Sequence, residues 1–113
     1  MTTDNQNYSR RTYVCWPIKF GGFRATWPFG KILINQDFIE VKATFVKGFR
    51  MRKQEIISIE FTNKLSDNLF HIFFLGKDCL CKININNDYP KWIAFLFNQK
   101  DIEKLKQFNY IQK

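Results

Sequence analysis

The chain has little that would make it a membrane, secreted or fibrous protein. No window holds the roughly 18 apolar residues of a transmembrane helix. Three prolines and five glycines exclude collagen-like and linker-rich organisation. There is one histidine, and the three cysteines are an odd count for a disulfide framework. Acids are also scarce: 10 Asp and Glu stand against 18 Lys and Arg, a formal charge of +8. Residues 1–7 are polar and lack the apolar core of a signal peptide. Ser9-Arg10-Arg11-Thr12-Tyr13 has twin-arginine letters, but Cys15-Trp16-Pro17-Ile18-Lys19 after it is too short and polar to continue an export signal. The expected location is cytoplasmic, with reduced thiols.

What is present suits one small globular unit. Hydrophobic residues make 45% of 113 residues and charged ones 25%, enough to bury a core without staples. Aromatics reach 18%, and 13 of them are Phe. Residues 1–12 have no periodicity and read as a flexible polar lead-in, and residues 13–113 as a single domain.

Alternation dominates the middle of the chain. Residues 31–35 form a short β-rich run, and Gln36-Asp37 a two-residue turn. Ile39, Val41 and Ala43 then share one face, with Glu40 and Lys42 on the other. Residues 45–51 carry Phe45, Phe49 and Met51 with cations between them. Ile57, Ile59 and Phe61 fall on one side of the next strand. Residues 63–68 read as a polar turn, 69–75 as a strand covered on both faces, and 79–85 as a further alternating strand. Residues 86–90 read as a loop and 92–97 as the last strand. The period then changes. Asn98 is placed to cap a helix with Asp101 in its first turn, and Ile102, Leu105 and Phe108 recur on one side. Short antiparallel strands closed by one C-terminal helix must curl into a barrel or stack as a sandwich to hide their apolar faces.

Three segments carry a family resemblance. Gly21-Gly22-Phe23-Arg24-Ala25-Thr26-Trp27-Pro28-Phe29-Gly30-Lys31-Ile32-Leu33-Ile34 resembles the opening of small bacterial pleckstrin-homology-like (PH-like, GRAM-like) domains. Phe49-Arg50-Met51-Arg52-Lys53-Gln54-Glu55-Ile56-Ile57-Ser58-Ile59-Glu60 resembles their next element, and Ile93-Ala94-Phe95-Leu96-Phe97 with the helix resembles their ending. The resemblance spans about residues 18–110. It implies a seven-stranded, strongly bent barrel capped by the helix, on a scaffold that binds rather than catalyses. Some PH domains bind inositol phosphates through Lys-x(n)-Lys/Arg-x-Arg, whose letters Lys47-Gly48-Phe49-Arg50-Met51-Arg52 fit. In that family the site spans the first two strands, whereas this segment lies later.

Two groups stand out as candidate sites. Lys42, Lys47, Arg50, Arg52 and Lys53 are clustered, with no acid between Glu40 and Glu55. On a strand, Arg50 and Arg52 point the same way. Such a patch attracts anionic lipid, at about 1 kcal/mol per basic residue near the surface. It equally attracts nucleic acid, or simply keeps a strand face solvated. Trp16, Trp27 and Trp92 are candidates for an interaction surface, because Trp favours partial contact. The phenylalanines are more simply core than stacking platforms.

Catalysis and metal binding have thinner support. Cys15, Cys79, Cys81 and His71 hold the right atoms for zinc, but Cys-x-Cys lacks the usual gap of a zinc knuckle. No nucleophile elbow, P-loop or dinucleotide fingerprint is present. The expectation is a binding module without enzymatic activity, metal or cofactor. Its leading partner is another protein or a second copy of itself. An anionic membrane, which would make the location peripheral, and a nucleic acid are the alternatives.

Overall fold

Residues that alternate between apolar and polar must bury one face, and this chain does so with two sheets and a helix. The computed structural model describes residues 7–18, 21–25, 28–44, 46–62, 64–67, 70–73, 80–87 and 90–112. The strands are β1 (Tyr8–Arg11), β2 (Val14–Ile18), β3 (Gly21–Ala25), β4 (Gly30–Ile34), β5 (Phe38–Ala43) and β6 (Val46–Arg52). After a 3-10 turn at Lys53–Glu55 come β7 (Ile56–Thr62), β8 (Lys64–Asp67), β9 (Phe70–Phe73), β10 (Leu80–Ile85) and β11 (Trp92–Leu96). Helix α1 (Gln99–Gln107) ends the fold. One sheet has the order β1-β4-β5-β6, the other β3-β2-β11-β10-β7, and β8-β9 form a two-stranded ribbon. Every pairing is antiparallel. No helix among the described residues is long and apolar enough to cross a membrane.

The mainly β reading with one C-terminal helix therefore holds. Hydrogen bonding among the described residues does not close the sheets into a barrel; they remain two separate sheets. Two boundaries need correction. β1 falls inside the stretch expected to be a flexible lead-in through residue 12. It is ordered because four backbone positions pair with β4, from Tyr8 opposite Ile34 to Arg11 opposite Lys31. The polar turn expected at 63–68 contains β8, which pairs with β9. Local polarity signalled a turn, but cross-strand pairing overrode it.

The chain passes from one sheet to the other at three points, across 12–13, between β3 and β4, and through the 3-10 turn between β6 and β7. The Thr12 amide donates to the Gly30 carbonyl at 2.9 Å, and its hydroxyl donates to the Leu96 carbonyl at 2.9 Å. Gly30 is required there by close approach. A Cβ on it would lie 2.3 Å from the Thr12 oxygen and 2.9 Å from Val14 Cγ2.

Between the sheets lie Val14, Ile32, Ile34, Ile39, Val41, Met51, Cys81, Ile83, Ile93 and Phe95, all fully buried. The helix adds Leu105 and Phe108 to this core. Each such side chain contributes about 1.5–3 kcal/mol by leaving water. The helix starts as its sequence predicts. Asn98 Oδ1 accepts from the Asp101 amide, and Asp101 Oδ2 accepts from the Asn98 amide, both at 2.9 Å. It stops where Asn109 takes φ 65°, letting the Tyr110 amide reach the Leu105 carbonyl at 2.8 Å.

Asp101 is also the anchor of β1. Fully buried, it forms an ion pair with Arg10 and accepts from the Tyr8 hydroxyl at 2.6 Å. Arg10 donates further to the Leu96 carbonyl at 2.7 Å. Burial draws the Arg10 guanidinium down, and Asp101 with Tyr8 more than offsets it, so its pKa is raised. Burial and then the Asp101 carboxylate push the Tyr8 hydroxyl up to about 12.

Candidate ligand-binding face

Strand alternation sends Arg10 inward and Arg11 outward. On the outer face of the four-stranded sheet, Arg11 stands opposite Lys31, and Lys31 opposite Lys42. All three side chains are exposed. The result is a row of three cations across three strands, drawn from positions far apart in the sequence. Like charges directly opposite one another are destabilising by a few tenths of a kcal/mol per pair. Neither Arg11 nor Lys31 forms an ion pair among the described residues. Lys42 alone has an acid nearby, Glu40 at 3.7 Å.

The row borders a shallow depression of about 220 Å³, whose other side is Pro28 and Phe29. Phe29 is 50% exposed, and among the described residues only Ile57 is another large apolar side chain so exposed. It sits in the turn that leads into β4, beside the Gly30 crossing. The same close approach that demands Gly30 thus brings an aromatic ring next to the cations.

A second basic depression lies at the other end of β5 and β6. It holds about 440 Å³ and is lined by Phe38, Arg50, Arg52 and Lys53 among others. Arg50 lies over the Phe38 ring, 4.0 Å from its centre, and 3.5 Å from Glu40. Arg52 is opposite Phe38 in register and 3.7 Å from Glu55. Glu40 is the acid between the two depressions, and Lys42 and Arg50 share it. Such exposed pairs are worth at most about 1 kcal/mol, so they leave the cations free to exchange partners.

The sequence cluster is thereby divided. Lys42, Arg50 and Arg52 are on this face. Lys53 turns toward the helix end, donating to the Phe108 carbonyl at 2.6 Å with its ammonium 4.7 Å from the centre of the Tyr110 ring. It meets the negative end of α1 there, which is a structural task. The Lys47 side chain lies outside the described residues. Arg11 and Lys31 escaped the sequence reading because nothing local links them. The available signal was alternation: Ile32 and Ile34 inward places Lys31 outward.

The tryptophan surface is corrected more fully. Trp16 and Trp92 are 5% and 6% exposed. Trp16 packs on Phe23, ring centres 4.7 Å apart, and Trp92 joins Cys15, Leu80 and Ala94 in a small second apolar cluster. Neither presents a face to a partner. Trp27 lies outside the described residues.

Among the described residues no group of three or more His, Cys, Asp or Glu could hold a metal ion. Cys15 and Cys81 are free and buried. Burial pushes the Cys15 thiol up to about 11 and Cys81 higher still, so both stay protonated. Cys79 and the His71 side chain lie outside the described residues. In comparison with known proteins, no protein-family model matches the chain, and no curated protein matches it.

Proposed function

We propose that the protein is a non-catalytic binding module of PH-like architecture that takes an anionic partner on the outer face of its four-stranded sheet. The observation that carries this is the Arg11–Lys31–Lys42 row, exposed and in direct register. Directly opposed cations cost stability, and a bound polyanion offsets that cost while releasing its counterions. The architectural reading is supported by two chain segments, 8–18 and 21–34, that each contribute to both sheets, and by the terminal helix on the core. Protonated, buried thiols favour binding over nucleophilic chemistry. The test is retention on immobilised heparin. The natural chain should need well above physiological salt for elution, and K31E/K42E should elute near physiological salt. Equal retention of the two would remove the row as the site.

A second reading is self-association through a sheet edge. Among the described residues β7 ends its sheet, and Ile57 on it is 68% exposed. An apolar residue on an open edge favours strand pairing between copies. Light scattering across a concentration series should show mass growth that I57K abolishes. A constant monomer mass at high concentration would refute it.

A further inference from the structure

We infer that the outer face of the four-stranded sheet binds single-stranded nucleic acid, with its phosphates on the two cation groups and its bases on Phe29 and on the Arg50–Phe38 stack. This rests on the anionic-partner reading above and names the partner. Three features select it. The face has two cationic centres rather than one. Lys42 and Phe38 lie four residues apart on β5, about 13 Å at strand rise, so a small anion at one end leaves the other unused. Each centre also has a flat group. Phe29 is 50% exposed beside the row, and the Arg50 guanidinium lies 4.0 Å above the Phe38 ring. Bases stack on aromatic rings and equally on guanidinium planes. Finally, Glu40 lies between the centres, within ion-pair distance of Lys42 and Arg50. A carboxylate there repels a phosphate at the midpoint and favours a ligand that alternates charge with uncharged rings.

A duplex satisfies the charges but hides its base faces, so Phe29 gains nothing from it. A bilayer would take Phe29 from its turn, but Phe38 is half-buried beneath Arg50 within the sheet, where acyl chains do not reach. The repeating pattern of charge and ring is that of an unpaired strand.

The experiment is fluorescence anisotropy of the full chain with labelled 12-nucleotide oligo(dT) and oligo(U), against a duplex of equal length. Vesicles of phosphatidylcholine with phosphatidylserine are sedimented in parallel. Single strands should bind more tightly than the duplex. F29A should weaken them about five-fold or more, as one lost stacking contact does. Engagement of Arg11, Lys31, Lys42, Arg50 and Arg52 should give log affinity a slope of about −3.5 against log salt, at roughly −0.7 per phosphate. Phe29 is exposed, so F29A should keep the natural urea midpoint. Binding to heparin or vesicles without binding to single strands would overturn this inference and leave the anionic face standing. Equal affinity for single strand and duplex, unchanged by F29A, would likewise overturn it, as contact with phosphate alone. Failure to bind heparin, vesicles or oligonucleotides would overturn both.

Discussion

The two sheets share a core but differ on their outer faces. Outside the five-stranded sheet, charge is paired across strands and the apolar groups away from the edge residue Ile57 are covered. Lys82 stands opposite Glu60 in register and lies 5.3 Å from the centre of the Trp92 ring. Asn84 donates to Ser58 at 3.0 Å and to Glu60 at 2.6 Å. Cys15, Leu80 and Ala94 on that side are fully buried. Outside the four-stranded sheet, three cations face one another and Phe29 is exposed. One face follows the stability rules for cross-strand pairs and the other breaks them. Where a small domain keeps such an arrangement, the departure points to ligand binding rather than to folding.

The largest test of this contrast uses the neighbours Arg10 and Arg11. D101A should cost about 3 kcal/mol, since it strands the Arg10 charge and removes a helix cap, and R10A should cost nearly as much by leaving Asp101 buried alone. R11A, one residue away, should leave the urea midpoint within about 0.5 kcal/mol while weakening retention on heparin. Equal destabilisation by R10A and R11A would erase the inward and outward distinction.

Gly30→Ala should cost roughly 2 kcal/mol, because the clash is with backbone at the crossing between sheets. A thermal melt that matches the natural chain would mean that this approach is looser than described.

Alkaline pH should expose the Asp101 anchor more gently. The folded state holds the Cys15 proton up to about 11, mainly by burial, and the Tyr8 proton up to about 12, by burial and Asp101. Ordinary values are 9.0 and 10.0. Both pKa values are raised on folding, so this stabilisation is complete below about pH 9 and falls as pH rises through the folded values. Y8F should flatten the part of the fall between about pH 10 and 12. Urea midpoints taken across that range check this, and parallel curves for the two proteins would contradict it.

The smallest stability change should come from the cation row itself. K31E should raise stability by a few tenths of a kcal/mol by breaking like-charge pairs, yet reduce heparin retention. K82E on the other sheet should do the reverse, losing a little stability beside Glu60 with retention nearly unchanged. Loss of retention by both substitutions in equal measure would show that only net charge matters.

Much of the fold was legible because its causes are local. Alternation marked β5 and β10, and Asn98 with Asp101 marked the helix start; in β7 it held for Ile59 and Phe61 but not for Ile57, which a register shift opposite Asn84 and Ile85 leaves exposed while Ile56 packs on the core. The turn after β4 was legible as well, although its agent is Asn35, whose Oδ1 accepts from the amides of Asp37 and Phe38 at 2.8 and 2.9 Å. β1 and β8 were not, since short polar stretches acquire strand structure only from a distant partner. Lys42, Arg50 and Arg52 of the basic cluster share one face, and alternation resolves the pair Arg50 and Arg52, which are two residues apart. Lys53 left it for a helix end 55 positions away.

By itself, then, the sequence determined what each residue could do within its own strand or helix: which face it took, where the helix began, and how much positive charge there was to place. Only the tertiary structure decided that Arg11, Lys31 and Lys42 form one row, that Trp16 and Trp92 are core, and that Arg10 is an anchor while Arg11 is free. The reason is register. Pairing between strands remote in sequence is selected by burial of the whole apolar face, and the outward residues are carried into contact by a choice they do not make.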